Sequence, residues 1–265
     1  VAMKQDRRVV VHIPCHRQEV AVRLPAGRLT MDSPLWWERR AEVFERVTLP
    51  SLLNQRCRDF DVVLTVRDVD NDADNPLLRL AEEAGFEVCV RPYEQWRYPL
   101  APNHYEWFVE RYRDVCDWLM LVQLESDDAY EEGVVQLLYD MGVRDGLVFY
   151  FDVGYAYGLE DGRLCRYGIR NLPEAFFGCV YGPRALQSAE AFREYRRQWR
   201  HDFFHYNAPR APRSRRMPEG MFLQTVHGAN STSSWRNKPT ARRVIEWITD
   251  EGERRDILAR FGIRE

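Results

Sequence analysis

The chain lacks any apolar run approaching the roughly 18 residues that a membrane-spanning helix requires. Its first residues, Val-Ala-Met-Lys-Gln-Asp-Arg-Arg, lack the apolar core of a secretion signal. These absences predict a cytosolic protein that meets a membrane at most peripherally, through a substrate or a partner. Basic charge is not in excess: 38 Lys and Arg stand against 41 Asp and Glu, for a net charge of -3. General nucleic-acid binding, which needs a basic face, is therefore not expected. The six cysteines, at 15, 57, 89, 116, 165 and 179, contain no Cys-x-x-Cys pair, so neither a zinc framework nor a disulfide framework follows. Several lie inside apolar runs, as buried reduced thiols do. There is no internal repeat, low-complexity tract or break in composition, and 265 residues suffice for one sizeable core. A single domain over 1–265 is expected.

What is present is an alternation of strand and helix. A β-branched run over 9–14 predicts the first strand, which ends in Pro14-Cys15-His16-Arg17. Over 36–53 apolar residues recur at helical spacing (Trp37, Ala41, Phe44, Val47, Leu52, Leu53), and Pro50 predicts a kink or a fresh start. A second strand is expected over 60–66, a helix over 77–84 closed by Gly85, and a third strand over 86–90. Asn103 is a good N-cap for a helix over 104–116, and a fourth strand follows over 118–124. Beyond it the pattern is mixed: a helix over 132–141, and strands over 147–157 and 163–167 around an Asp161-Gly162 hairpin turn. A strand over 175–181, a charged helix over 187–206, a strand over 220–226 and one or two helices over 240–260 complete the chain. The pattern predicts an α/β fold with a mixed central sheet flanked by helices, in which a nucleotide-binding half over 1–130 precedes an α+β half.

The stretch most suggestive of chemistry is 119–130, Leu-Met-Leu-Val-Gln-Leu-Glu-Ser-Asp-Asp-Ala-Tyr. An apolar run stops at three acids, Glu125, Asp127 and Asp128. Ligands of open α/β sheets bind where parallel strands end. Three carboxylates at such an edge repel one another unless a cation lies among them. The competing reading is a solvated acidic turn in which Ser126 or Asp127 caps the next helix. Two histidines at 201 and 205 sit at helical spacing around Asp202, a faint likeness to a zinc-hydrolase motif that lacks its glutamate and a third ligand.

Taken in order, these elements resemble the GT-A fold of nucleotide-sugar-dependent glycosyltransferases, whose Asp-x-Asp motif stands here as Leu124-Glu125-Ser126-Asp127-Asp128. Residues 44–55, Phe-Glu-Arg-Val-Thr-Leu-Pro-Ser-Leu-Leu-Asn-Gln, followed by Asp59-Phe60, resemble the first helix of bacterial rhamnosyltransferase-like proteins. Residues 220–231, Gly-Met-Phe-Leu-Gln-Thr-Val-His-Gly-Ala-Asn-Ser, resemble their C-terminal segment. The resemblance covers most of the chain. It implies a nucleotide-sugar donor and a carbohydrate or lipid-linked acceptor, with 131–239 as the acceptor side and 240–265 as C-terminal helices. It implies Mg²⁺ or Mn²⁺ on Asp127, with Glu125 nearby and His227 completing the shell; for His227 the alternative is a core histidine bonded to backbone. Glu125 replaces the usual first Asp, and Asp128 reaches the donor sugar or caps a helix. By the same resemblance Pro14, His16 and Asp68 border the base, Asn103 faces the diphosphate, and Arg236 and Lys238 help the leaving group depart. The acceptor's proton goes to Asp202 or Glu219. Two other classes share these residues: a metal-dependent nucleotidyl- or phosphotransferase, and a non-catalytic carbohydrate-binding protein on a degenerate version of the fold.

Overall fold

The computed structural model describes residues 5–15, 34–91, 103–169, 176–199, 213–227 and 243–264. Its first half alternates as expected. Strand β1 (Gln5–Pro14) leads to helix α1 (Pro34–Val43), which continues through a π-helical turn (Phe44–Thr48) into α2 (Leu49–Leu53). Then come β2 (Phe60–Arg67), α3 (Pro76–Glu83), β3 (Glu87–Arg91), α4 (Asn103–Tyr112) and β4 (Cys116–Gln123). Pro50 does not break the first helical stretch. The wider turn just before it, closed by Leu49 N–H on Phe44 O, absorbs the misfit of a residue that has no N–H to give. Helix α3 opens on Asn75, whose side chain accepts from Leu77 N–H, and Gly85 at φ 75° follows its end.

The four strands pair in parallel in the order β3-β2-β1-β4. Both faces of this sheet are covered, and the residues of each strand divide between them with a period of two. Val9, Val11 and Ile13 join Val62, Leu64, Met120 and Val122 in one core, under Trp36, Trp37, Phe44, Leu77 and Leu78 from α1–α3. Val10 joins Val63, Leu119 and Leu121 in the other, under Phe108, Val109 and Tyr112 of α4. Burial on both sides is why these strands read as unbroken apolar runs rather than alternating ones.

The second half extends this sheet and builds another. Its elements are β5 (Ala129–Tyr130), α5 (Val134–Asp140), β6 (Val148–Tyr150), β7 (Val153–Gly158), β8 (Leu164–Gly168), β9 (Phe177–Tyr181) and α6 (Ala189–Trp199). They are followed by β10 (Ser214–Arg216), β11 (Phe222–Val226), β12 (Val244–Ile248) and α7 (Glu251–Arg260). Strand β9 pairs antiparallel with β4, and β6 and β10 continue outward. The five-stranded second sheet runs β12-β8-β7-β11-β5. The architecture is therefore mixed α/β with a mixed central sheet flanked by helices. The Asp161-Gly162 hairpin is present between antiparallel β7 and β8, with Gly162 at φ 66° and Asp161 accepting from Arg163 N–H.

Two expectations are corrected. The single strand over 147–157 is two, β6 and β7, and they belong to different sheets. The helix expected from 240 is instead strand β12 followed by α7, because Val244, Ile245, Trp247 and Ile248 are β-branched or aromatic, and the strand pairs with β8 through Val244, Glu246, Trp247 and Ile248, with Ile245 at a bulge. The C-terminal end is thus strand plus helix. Ile257, Leu258 and Phe261 pack with Val43 and Val47, which ties this end to the first helical stretch.

The crossing of β9 between β4 and β6 requires a residue without a side chain. A Cβ on Gly178 would come within 2.2 Å of Phe149 Cζ and 2.7 Å of Leu121 O. Gly178→Ala is expected to lower stability by about 1–3 kcal/mol in urea unfolding, the range for overpacking. Gly142→Ala, where nothing lies within 4 Å of the added carbon, should change it little.

Candidate functional site

Strand order in the parallel core reverses direction between β1 and β4, and a crevice at the carboxyl ends of such a pair is where open α/β sheets bind ligands. At that edge β1 delivers Cys15 and β4 delivers Glu125–Asp128. Here Cys15 N–H bonds Thr65 O at 2.9 Å and Leu124 N–H bonds His12 O at 3.0 Å, which extends the sheet into the site from both sides. Pro14 lies in the same edge, opposite Thr65 of β2. Asp68 is exposed and opens the 3₁₀ turn Asp68–Asp70 that follows β2, while Asp70 of the same turn forms a buried ion pair with Arg67.

The acids do not cap a helix. Helix α5 begins only at Val134, behind Gly133. The antiparallel pairing of β5 with β11, Tyr130 opposite Phe222 and Ala129 opposite Leu223, continues as side-chain contacts into the turn that carries the acids. Thr225 N–H donates to Asp128 Oδ1 at 2.9 Å, and Thr225 Oγ1 donates to the Asp127 carbonyl at 2.6 Å. Two residues on, His227 Nε2 meets Asp127 Oδ2 at 3.1 Å. The expected convergence of Asp127 and His227, 100 residues apart in the chain, is present. Glu125 is half-buried and accepts from Gln123 Nε2 at 3.2 Å. Tyr130, on the short strand just beyond, donates its hydroxyl to the Gln123 carbonyl and fixes the end of β4.

One further residue enters from α1. The Arg40 guanidinium forms an ion pair with Asp127 Oδ2, with 17 % of the Arg40 side chain and 11 % of the Asp127 side chain exposed. Arg40 packs over the Trp36 ring at 4.9 Å. Nothing in the charge count of the first helix distinguished it, yet a spacing signal existed. Arg40 lies four residues after Trp36 and four before Phe44, so it is a charge on the apolar face of the helix.

The neighbouring carboxyls are driven apart. Burial alone would raise Asp127, but the Arg40 charge and the His227 bond outweigh it and hold this carboxyl well below the usual range. Asp128 is pushed well above its ordinary value, by burial first and by the negative charge of Asp127 second, against the Thr225 N–H. The two neighbours are thus biased in opposite senses, Asp127 towards its ionised form and Asp128 towards its acid form. Burial also pushes the Cys15 thiol up to about 12, so it is a buried neutral group and no nucleophile.

The donor types at this edge, carboxylates and an imidazole, are those that suit Mg²⁺ or Mn²⁺. Their arrangement does not fit such an ion. Asp127 Oδ2 is shared by Arg40 and His227, Asp128 Oδ1 is turned to the Thr225 backbone, and Glu125 is engaged by Gln123. Among the described residues, no group of three His, Cys, Asp or Glu side chains is arranged to hold a metal.

Of the other expected residues, Asn103 is the first residue of α4, and its side chain is outside what is described. His16, Asp202, Arg236, Lys238 and the histidines at 201 and 205 also fall outside the described residues. Glu219 is brought elsewhere. It precedes β11, whereas His227 follows the other end of that strand, a separation on the order of 20 Å at about 3.3 Å per residue. Its exposed carboxylate is held by Arg166 and by Arg216 and lies below its ordinary range for that reason. It is not assembled with the acids.

Compared with protein-family models and with curated protein sequences, the chain finds no match. Solved structures give distant likenesses. One is TarS 1-349 of S. aureus, at TM-score 0.41 and 12% identity, covering 96% of this chain and 70% of that one. A second, from Desulfovibrio desulfuricans G20, is described as a nucleotide-diphospho-sugar transferase, at TM-score 0.40 and 13% identity, covering 89% and 93%. A third, the inositol-1-phosphate CTP transferase of T. maritima, stands at TM-score 0.33 and 12% identity, covering 84% and 85%. At these values none assigns an activity to this chain. No described helix is long and apolar enough to cross a membrane.

The opposed carboxyls give a direct test. Asp127→Asn leaves the Arg40 charge buried without its partner and is expected to cost roughly 3 kcal/mol, as breaking buried pairs does. Asp128→Asn removes a carboxyl that its surroundings already drive towards the neutral form and keeps an oxygen for the Thr225 N–H, so it should cost much less than Asp127→Asn at pH 7. Chemical denaturation of the two variants side by side checks both expectations, and equal losses would contradict the assignment of charge.

Proposed function

We propose that this chain is a glycosyltransferase that uses a nucleotide-sugar donor and a hydroxyl acceptor. The observation that carries the reading is the acid turn at the carboxyl end of β4, beside the reversal of strand order between β1 and β4 and held from two sides by Arg40 and His227. The order of motifs that resembles the GT-A glycosyltransferases supports the same reading. In the reaction, the acceptor oxygen bonds to the anomeric carbon as the bond from that carbon to the diphosphate oxygen breaks. The nucleoside diphosphate departs with the electron pair, and the acceptor proton passes to a base.

The residues divide the work by position. Pro14 and Asp68, at the ends of β1 and β2, border the pocket for the base. Glu125, with its carboxylate oriented by Gln123, accepts from ribose or sugar hydroxyls. Asp128 fixes the acid turn to β11 through Thr225. For the base, Asp202 remains the candidate, with Arg236 and Lys238 as cations beside the departing diphosphate. Metal dependence is not part of the reading, since the donors at Asp127 are otherwise engaged. The acceptor is a carbohydrate or lipid-linked hydroxyl compound in surface polysaccharide or glycoconjugate synthesis, reached in the cytoplasm. A rhamnosyl donor is favoured by the family resemblance alone.

Incubation with UDP-, dTDP- and GDP-sugars and a panel of hydroxyl acceptors tests this. Release of free nucleoside diphosphate, lost at least about 100-fold in Asp127→Ala while the far-UV signature is kept, is the expected outcome. Release of pyrophosphate from a nucleoside triphosphate would instead show nucleotidyl transfer. No thermal shift with any nucleotide sugar would sink the reading.

A further inference from the structure

We propose that Arg40 takes the place of a divalent cation at Asp127. On this proposal Asp127 is a positioning residue for a guanidinium, and that guanidinium receives the anionic group of the ligand. The identity of the ligand as a diphosphate rests on the glycosyltransferase reading; the exclusion of a metal at Asp127 does not.

Three observations carry it. First, one carboxylate oxygen, Asp127 Oδ2, receives both Arg40 and His227 Nε2, the latter at 3.1 Å. A divalent ion of the Mg²⁺ type bound at that oxygen would sit about 2.1 Å from it, with near-octahedral room around it. Arg40 and such an ion exclude one another there. Second, Arg40 is built into this position. It comes from a helix whose flanking turns, Trp36 and Phe44, are buried, and its guanidinium rests on the Trp36 ring at 4.9 Å. A guanidinium does not lose its charge in a protein, so no change of pH within the working range vacates the oxygen. Third, the pair with Asp127 engages one end of a planar group that has five N–H donors, and 17 % of the Arg40 side chain remains exposed. The remaining donors form the fork that matches two phosphate oxygens at once. Asp127 then does for Arg40 what a second carboxylate does for a metal-bound histidine: it fixes the orientation of the group that meets the ligand.

The test uses the full chain and has a metal arm and a nucleotide arm. In the first, Mn²⁺ alone is titrated into the wild type, Asp127→Asn and Arg40→Met, with free Mn²⁺ read by electron paramagnetic resonance. The wild type is expected to show no Mn²⁺ site that depends on Asp127, and Arg40→Met to gain one. In the second, UDP, dTDP and GDP are titrated by calorimetry in EDTA and in Mn²⁺. The wild type should bind one of them within about twofold equally in both, and Arg40→Met should bind it at least about tenfold more weakly in EDTA. Mn²⁺ binding by the wild type that is lost in Asp127→Asn overturns the proposal, as does nucleotide binding that EDTA abolishes. If Arg40→Met does not fold, Arg40→Lys replaces it. Lysine keeps the charge but not the fork, and undiminished nucleotide affinity in Arg40→Lys would contradict the role of the guanidinium. If no nucleotide binds to any form, the glycosyltransferase reading falls, and the Mn²⁺ arm still decides whether Arg40 excludes the metal.

Discussion

The ion pair between Arg40 and Asp127 is the interaction on which the carboxyl edge depends. Burial penalises each charge on its own, and each is tolerated because the other is there. Around the pair, charge separates by chemistry rather than by distance. Asp127 stays ionised, Asp128 is driven towards its acid form, and Cys15 stays a thiol, although Arg40 and Asp127 act electrostatically on both Cys15 and Asp128. An edge carrying three acids in four positions thereby becomes one anchored carboxylate, one hydrogen-bonding carboxyl biased towards its acid form, and one partly exposed acid.

That pair also joins distant parts of the chain. Arg40 comes from the helix over one face of the parallel sheet, Asp127 from the end of its fourth strand, and His227 from the second sheet. The short pairing of β5 with β11 brings the second sheet to the first, and Thr225 extends it by two bonds into the acid turn. Packing of Ile257, Leu258 and Phe261 against Val43 and Val47 then closes the far end of the chain on the helical stretch that carries Arg40. The site is a product of long-range contacts, and its geometry tracks the packing of both halves.

How much of this was legible varied with the kind of signal. The parallel core was, because strands buried on both faces leave unbroken apolar runs such as Val9-Val10-Val11 and Leu119–Val122, whose partners hardly matter to the pattern. The acid turn and its distant partner His227 were legible as a motif in sequence order. Arg40 was not singled out, since an arginine in a helix rich in charges resembles a solvated face until its spacing from Trp36 and Phe44 is counted. Strand β12 was misread as helix because edge strands draw their pattern from a single partner, here β8, and carry exposed residues such as Ile245 and Trp247. The split of 147–157 between two sheets depends on how β9 and β11 arrive, and nothing local announces it.

The most direct measurement is a double-mutant cycle between Arg40 and Asp127, made with Arg40→Met, Asp127→Asn and the double variant and read as unfolding free energy. Removing either partner alone should leave a buried charge without compensation, while removing both should not. The double variant is therefore expected to be less destabilised than the sum of the singles by on the order of 2 kcal/mol. Losses that add to within about 0.5 kcal/mol would mean that the two side chains do not hold one another, and would contradict the account of this edge.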